Sequence, residues 1–154
     1  MRVVLDTNVL CRAAAPGCGP AREALVRCIR KPHVLLISEF ILAELSRALR
    51  YPRMRGVHGL DEEGIRRHVE DVRRAGVLVS LPTRQAEALV FPDPADDAIV
   101  ETAVAGQADA LCTCDRHLHH PHVIAYCRSY AVEVMGDIEL LMRLRKIEEE
   151  SGES

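Results

Sequence analysis

Val3-Val4-Leu5-Asp6-Thr7-Asn8-Val9-Leu10 decides how this chain is read. A short apolar run stops at an acid, and apolar residues resume at Val9. A run of that length has the form of a strand buried on both faces, as in a parallel sheet. Open α/β sheets bind ligands beyond the carboxyl ends of their strands, and Asp6 falls at such an end. An acid in that place also serves as a helix N-cap. Asp6 alone therefore decides nothing; what matters is whether other acids arrive at the same edge.

Working outward, residues 7–15 read as a short helix stopped by Pro16-Gly17, and a second helix over about 20–30 ends at Lys31-Pro32. Val34-Leu35-Leu36-Ile37 is a second buried strand, and Ser38 caps a helix over about 39–50. At about 100° per residue, Phe40, Ile41, Leu42, Leu45, Ala48 and Leu49 form one apolar face of that helix, and Glu44 falls inside it between Phe40 and Ala48. A carboxylate on a core-facing stripe is unfavourable without a partner. A further helix is expected over about 61–75 and a third strand at Val77–Leu81.

Asp93-Pro94-Ala95-Asp96-Asp97 opens the next helix, over about 95–106. Asp93 suits the N-cap, Pro94 the first helical position and Asp96 the third, which leaves Asp97 without a structural role. The helix is apolar nearly all round, so Asp97 is expected to point into an enclosed space, with Glu101 one turn further along the same stripe. Ala110-Leu111-Cys112-Thr113-Cys114 is a fourth strand, closed by Asp115 as Asp6 closes the first. Val123–Tyr126 and Ala131–Val134 each offer a fifth. A last helix over about 137–147 leads into an acidic polar tail, 148–154, expected to fray.

The bulk composition agrees with a single domain over 1–147. The chain has 154 residues, 48% of them hydrophobic, enough for one sizeable core. With two Phe, three Tyr and no Trp, that core must be aliphatic, and no aromatic platform for stacking bases stands out. The net charge is −3, so no global basic field announces nucleic acid, although 18 of the 20 basic residues are Arg. Arg50 and Arg53, beside Tyr51-Pro52, are the candidates for phosphate contacts. Neither a signal-peptide core nor an apolar run of transmembrane length is present. A cytoplasmic protein with reduced thiols is expected. Cys112 and Cys114 with His117 present a weak soft-metal pattern, and His117, His119, His120 and His122 form a His-rich loop. Both read more simply as buried small residues and a polar surface loop.

Strands alternating with helices imply a parallel sheet covered on both faces. Asp6 and Asp115 end strands, and Glu44 and Asp97 lie on helices expected at the same sheet edge. Four carboxylates there would form an oxygen-donor cluster suited to Mg²⁺ or Mn²⁺, ions that hold phosphate oxygens and activate water.

With those pieces in order, the chain resembles the PIN-domain family, in particular its toxin-like members related to VapC-type toxins. The likeness rests on Val4-Leu5-Asp6-Thr7-Asn8, on Ser38 six residues before Glu44-Leu45, on Asp97-Ala98-Ile99 opening an Ala-rich helix, and on Thr113-Cys114-Asp115 with its acid 18 residues beyond Asp97. It covers about 1–145. Cys114 stands where the family often has Gly or a polar residue, and Glu101 where a small one is usual. The resemblance implies a three-layer α/β/α domain with a central, mostly parallel sheet of four to five strands. It implies a ribonuclease using one or two Mg²⁺ or Mn²⁺ ions, with Asp6, Glu44, Asp97 and Asp115 as metal-binding and catalytic acids and Asn8 and Ser38 in support. It implies single-stranded RNA as substrate, a homodimer, and the toxin's place in a toxin–antitoxin pair, neutralised by a small antitoxin. A haloacid-dehalogenase-type phosphatase would need Asp where Asn8 stands. A response-regulator receiver would need paired acids early in the chain. The remaining rival is a catalytically silent PIN fold that binds RNA or a protein.

Overall fold

The computed structural model describes residues 1–81 and 94–152. Within them the chain alternates strands and helices: β1 (Arg2–Leu5), α1 (Thr7–Ala13), α2 (Pro20–Cys28), β2 (Val34–Ile37), α3 (Glu39–Ala48), α4 (Pro52–His58), α5 (Glu62–Ala75), β3 (Val77–Leu78), α6 (Pro94–Ala105), β4 (Ala110–Cys112), α7 (Pro121–Ser129), β5 (Glu133–Met135) and α8 (Asp137–Gly152). The strands form one sheet in the order β3-β2-β1-β4-β5, and every pairing is parallel. With helices over the sheet, this is the three-layer α/β/α arrangement. Val3, Val4, Leu35, Leu36, Ala110 and Leu111 are at most 1% exposed. That is why the central strands read as unbroken apolar runs.

Strand order reverses beside β1. Strands β2 and β3 lie to one side and β4 and β5 to the other, so β1 and β4 flank the switch point at which such sheets bind ligands. Leu5 pairs with Cys112, which places Asp6 and Thr113 side by side at that edge.

Several local expectations are corrected. Val123–Tyr126 is not a strand: His120 caps α7 with Pro121 at its first position, and this start signal outweighs the β-branched residues that follow. The fifth strand is Glu133–Met135. Strand β3 closes after Leu78, sooner than its apolar run suggested. A helix over 52–58 went unforeseen because it is short and Arg-rich; Pro52 starts it and Gly59, at φ 64°, stops it in the left-handed conformation. The acidic stretch after 147 continues α8 to Gly152, with Glu148 paired to Arg27. The N-cap expected at Asp93 lies outside the described residues.

Candidate functional site

A cleft of about 160 Å³ opens at the carboxyl edge of the sheet, lined by Asp6, Thr7, Asn8, Phe40, Glu44, Ala48, Tyr51, Asp96, Ile99 and Asp115. The first acid comes from the end of β1. Asp6 is the N-cap of α1, as a strand-to-helix turn favours, but it is more than a cap. Its Oδ1 accepts a 2.7 Å hydrogen bond from the Thr7 N–H, and its Oδ2 accepts one of 2.7 Å from the Thr113 hydroxyl. Thr113 Oγ1 in turn accepts from the Asp115 N–H at 3.0 Å, and Asp115 Oδ1 accepts from the His117 N–H at 2.9 Å. The two strand-end acids are thus set by one chain of hydrogen bonds running through Thr113, a residue to which the sequence reading gave no role of its own.

Asp6 is only 6% exposed. Burial pushes its carboxyl above the usual carboxylate range, and the neighbouring Asp115 charge pushes the same way. The hydrogen bonds from Thr113 and Thr7, and the Arg12 guanidinium, offset part of the rise.

Phe40, Glu44 and Ala48 reach the cleft as a single stripe of α3, as their spacing of four requires. Glu44 is half-buried and ion-pairs with Arg47 one turn along. Ser38, expected beside the acids, is 1% exposed and does not line the cleft. Its hydroxyl accepts from the Ile41 N–H at 3.3 Å and lies 2.9 Å from the Thr102 hydroxyl. It therefore ties α3, which carries Glu44, to α6, which carries the next acid. Asn8 does line the cleft.

On α6 the structure departs from the expected quartet. Asp96 lines the cleft, whereas Asp97 is wholly buried and does not. Consecutive helical residues point about 100° apart, so one of the pair had to turn inward. Capping logic assigned Asp96 to the helix start and left Asp97 for the site; in the structure it is Asp96 that lines the cleft, with Asp97 buried beside it. Glu101, half-buried, does not line the cleft either.

Tyr51 was overlooked as well. It is 55% exposed, immediately before α4, and lines the cleft, as Phe40 does. A count of five aromatic residues does not reveal that two of them sit beside the acids. Of the two Arg expected on a phosphate path, Arg50 is engaged by Glu62 at 3.1 Å and by the Ser46 carbonyl at 2.7 Å. Arg53 is exposed and has no ion pair among the described residues.

Carboxylates are the donors a hard divalent cation takes, and four of them, from four segments, line one cleft. The acids line the cleft without closing into a cage. Among the described residues no three His, Cys, Asp or Glu side chains are gathered tightly enough to hold a metal ion. The same holds for the cysteines and the His-rich loop. Cys112 is buried with its thiol pushed up by burial, Cys114 is exposed, and His119 Nε2 lies 2.6 Å from the Thr113 carbonyl. No described helix is long and apolar enough to cross a membrane.

The model of the PIN domain matches residues 2–117 of the chain. No curated protein and no solved structure matches it. The matched span contains the whole switch-point edge, with all four cleft acids and the Thr113 link between them. The chain belongs to the PIN-domain family, a nuclease-type, RNA-binding fold.

Proposed function

We propose that this protein is an endoribonuclease that hydrolyses phosphodiester bonds in single-stranded RNA with one or two Mg²⁺ or Mn²⁺ ions. The observation that carries the reading is the cleft at the switch point, onto which Asp6, Glu44, Asp96 and Asp115 all open. Those four residues would hold the ion, Asp96 in the place first given to Asp97. A bound divalent ion would neutralise charge on the phosphate and make an attacking water more acidic.

The chain's own contribution is positioning. Thr113 and Thr7 each engage one oxygen of Asp6 and aim the rest of the carboxylate at the cleft. Tyr51 and Phe40 offer apolar faces to a base beside the cut. Water attacks phosphorus and the bond to the 3′ oxygen breaks, leaving a 3′ hydroxyl and a 5′ phosphate.

The likeness to VapC-type toxins adds a context: a cytoplasmic, homodimeric toxin silenced by a small antitoxin that places a basic side chain among the acids. Purified protein incubated with total RNA is expected to cleave it with Mn²⁺, to stop with EDTA, and to leave 5′ phosphates. Cleavage that persists in EDTA or leaves cyclic phosphates would refute the reading. A silent binding module is favoured by one observation, the turn of Glu44 toward Arg47 in place of the other acids. It predicts RNA binding with no cleavage at any Mn²⁺ concentration.

A further inference from the structure

Beside the acid cleft lies a second groove, of about 310 Å³, lined by Asn8, Arg12, Arg53, Met54, Val57 and Cys114. Asn8 lines both, so the two adjoin. The groove follows from two helical registers. Asn8 and Arg12 are four apart on α1 and share a face; Arg53, Met54 and Val57 fall within about 100° of arc on α4. Helices α1 and α4 pack together, and Cys114, just past β4 and next to Asp115, joins the lining.

Arg27, Arg47, Arg50, Arg55, Arg73, Arg74, Arg143 and Arg145 all lie within ion-pair distance of Glu side chains. Arg12 and Arg53 are both exposed, and neither has an ion pair among the described residues. Arg30, Arg116 and Arg128 are exposed without an ion pair among the described residues too, but Arg12 and Arg53 are the two that line a groove adjoining the acid cleft. The same lining includes half-buried Met54 and Val57, an apolar side chain left 47% exposed. Two guanidinium groups without an ion pair, in one groove with apolar side chains, match a nucleotide, phosphate against cations and base against the apolar lining.

We infer that the α1–α4 groove is the subsite for the nucleotide next to the scissile bond, with Arg12 and Arg53 holding its phosphate and Met54 and Val57 receiving its base. This deepens the ribonuclease reading and rests on it. Arg12 and Arg53 act here by positioning the strand; Met54 and Val57 set which base is accepted at that position.

The groove carries its own reporter. Cys114 and Cys18 are exposed, whereas Cys11, Cys28, Cys112 and Cys127 are buried with thiols raised by burial, to about 12 for Cys11 and Cys28 and about 11 for Cys127. A maleimide therefore has two fast targets, one inside the groove and one, Cys18, in a separate cleft against α2. The experiment measures maleimide labelling and RNA affinity on an Asp6→Asn background in Ca²⁺, with a short single-stranded RNA that stays whole. RNA is expected to protect Cys114 and leave Cys18 reactive.

Arg12→Ala with Arg53→Ala should lower the salt slope of binding by about 0.7, for the one phosphate they hold, and weaken binding roughly 5-fold at about 0.1 M salt. Arg66→Ala, in the cleft between α3 and α5, is the control and should leave both unchanged. Met54→Ala should alter base preference at one position and keep the slope. Unprotected Cys114, equal protection of both thiols, or an unchanged slope overturns the inference. If the parent cleaves RNA with Mn²⁺ while those signs are absent, the groove assignment fails and the nuclease reading stands. If the signs are present and the parent never cleaves, the nuclease reading fails and the groove remains a nucleotide site.

Discussion

At the seam between α2 and α8, Glu23 meets Arg145 at 2.7 Å and Arg27 at 2.9 Å, and its carboxyl is held below the ordinary range by those hydrogen bonds. At the carboxyl edge of the sheet, Asp6 meets hydroxyl and backbone donors, has Asp115 for a neighbour, and is pushed the other way, chiefly by burial. The same functional group is paired with guanidinium groups in one place and buried against hydroxyl and backbone donors in the other. Arg residues were not scarce, since 18 were available. A carboxylate answered by a guanidinium supports the fold. One that is buried and faced by another carboxylate marks a place where a cation from outside is expected.

The largest effect that would sharpen this contrast is on α6. Asp96→Asn should reduce Mn²⁺-dependent RNA cleavage by about 100-fold or more, the scale seen when one preorganised charged or polar group is removed from a reacting centre. Asp97→Asn should leave cleavage per folded molecule within a few-fold. Its cost should appear as a melting temperature lower by several degrees, because a fully buried acid in the first turn loses its favourable place near the helix dipole. The reverse pattern, read by cleavage rates and thermal melts of the two variants, would restore Asp97 to the site.

A smaller effect tests the repulsion itself. Asp115→Asn keeps the oxygen that accepts from the His117 N–H and removes one charge beside Asp6. In EDTA at neutral pH the variant should melt about 2 °C higher than the parent, for a repulsion of about 1 kcal/mol or less. The sign follows from linkage: a carboxyl raised in the folded state stabilises the fold below its unfolded value and loses that contribution as pH rises through the folded one. The gain from Asp115→Asn should therefore vanish on acidification. A gain that grows in acid would contradict it.

The seam should give the smallest effect and the opposite pH dependence. Glu23 is lowered in the folded state, so its contribution is present above its unfolded value and is lost as pH falls through the folded one. Glu23→Gln should lower the melting temperature slightly at neutral pH, by no more than about 2 °C for an exposed pair. It should lose that deficit in acid and leave RNA cleavage unchanged.

How much of this was legible in the chain depends on the kind of signal. The buried strands β1, β2 and β4 announce themselves because residues covered on both faces must be apolar throughout, and a strand that ends in Asp marks the functional edge. The Phe40-Glu44-Ala48 stripe was legible because helical periodicity alone places it. Features set by tertiary neighbours were not. Which of Asp96 and Asp97 faces the cleft depends on the rotation of α6, which capping preferences do not determine. Arg50 and Arg53 look alike in sequence, yet Glu62 lies where it can engage one and not the other. Arg12 and Tyr51 acquire meaning only once α1 and α4 are packed side by side. Thr113 is an ordinary strand residue until Leu5 and Cys112 are in register.

The central claim is that the switch-point acids form a site for a divalent cation. Isothermal titration of Mn²⁺ into the parent and into Asp6→Asn, Asp115→Asn and Glu23→Gln tests it most directly. The account predicts one or two ions bound by the parent, affinity weakened tenfold or more, about 1.4 kcal/mol, in both cleft variants, and the parent's affinity retained by Glu23→Gln. No saturable binding by the parent, or equal affinity in all four proteins, would contradict it.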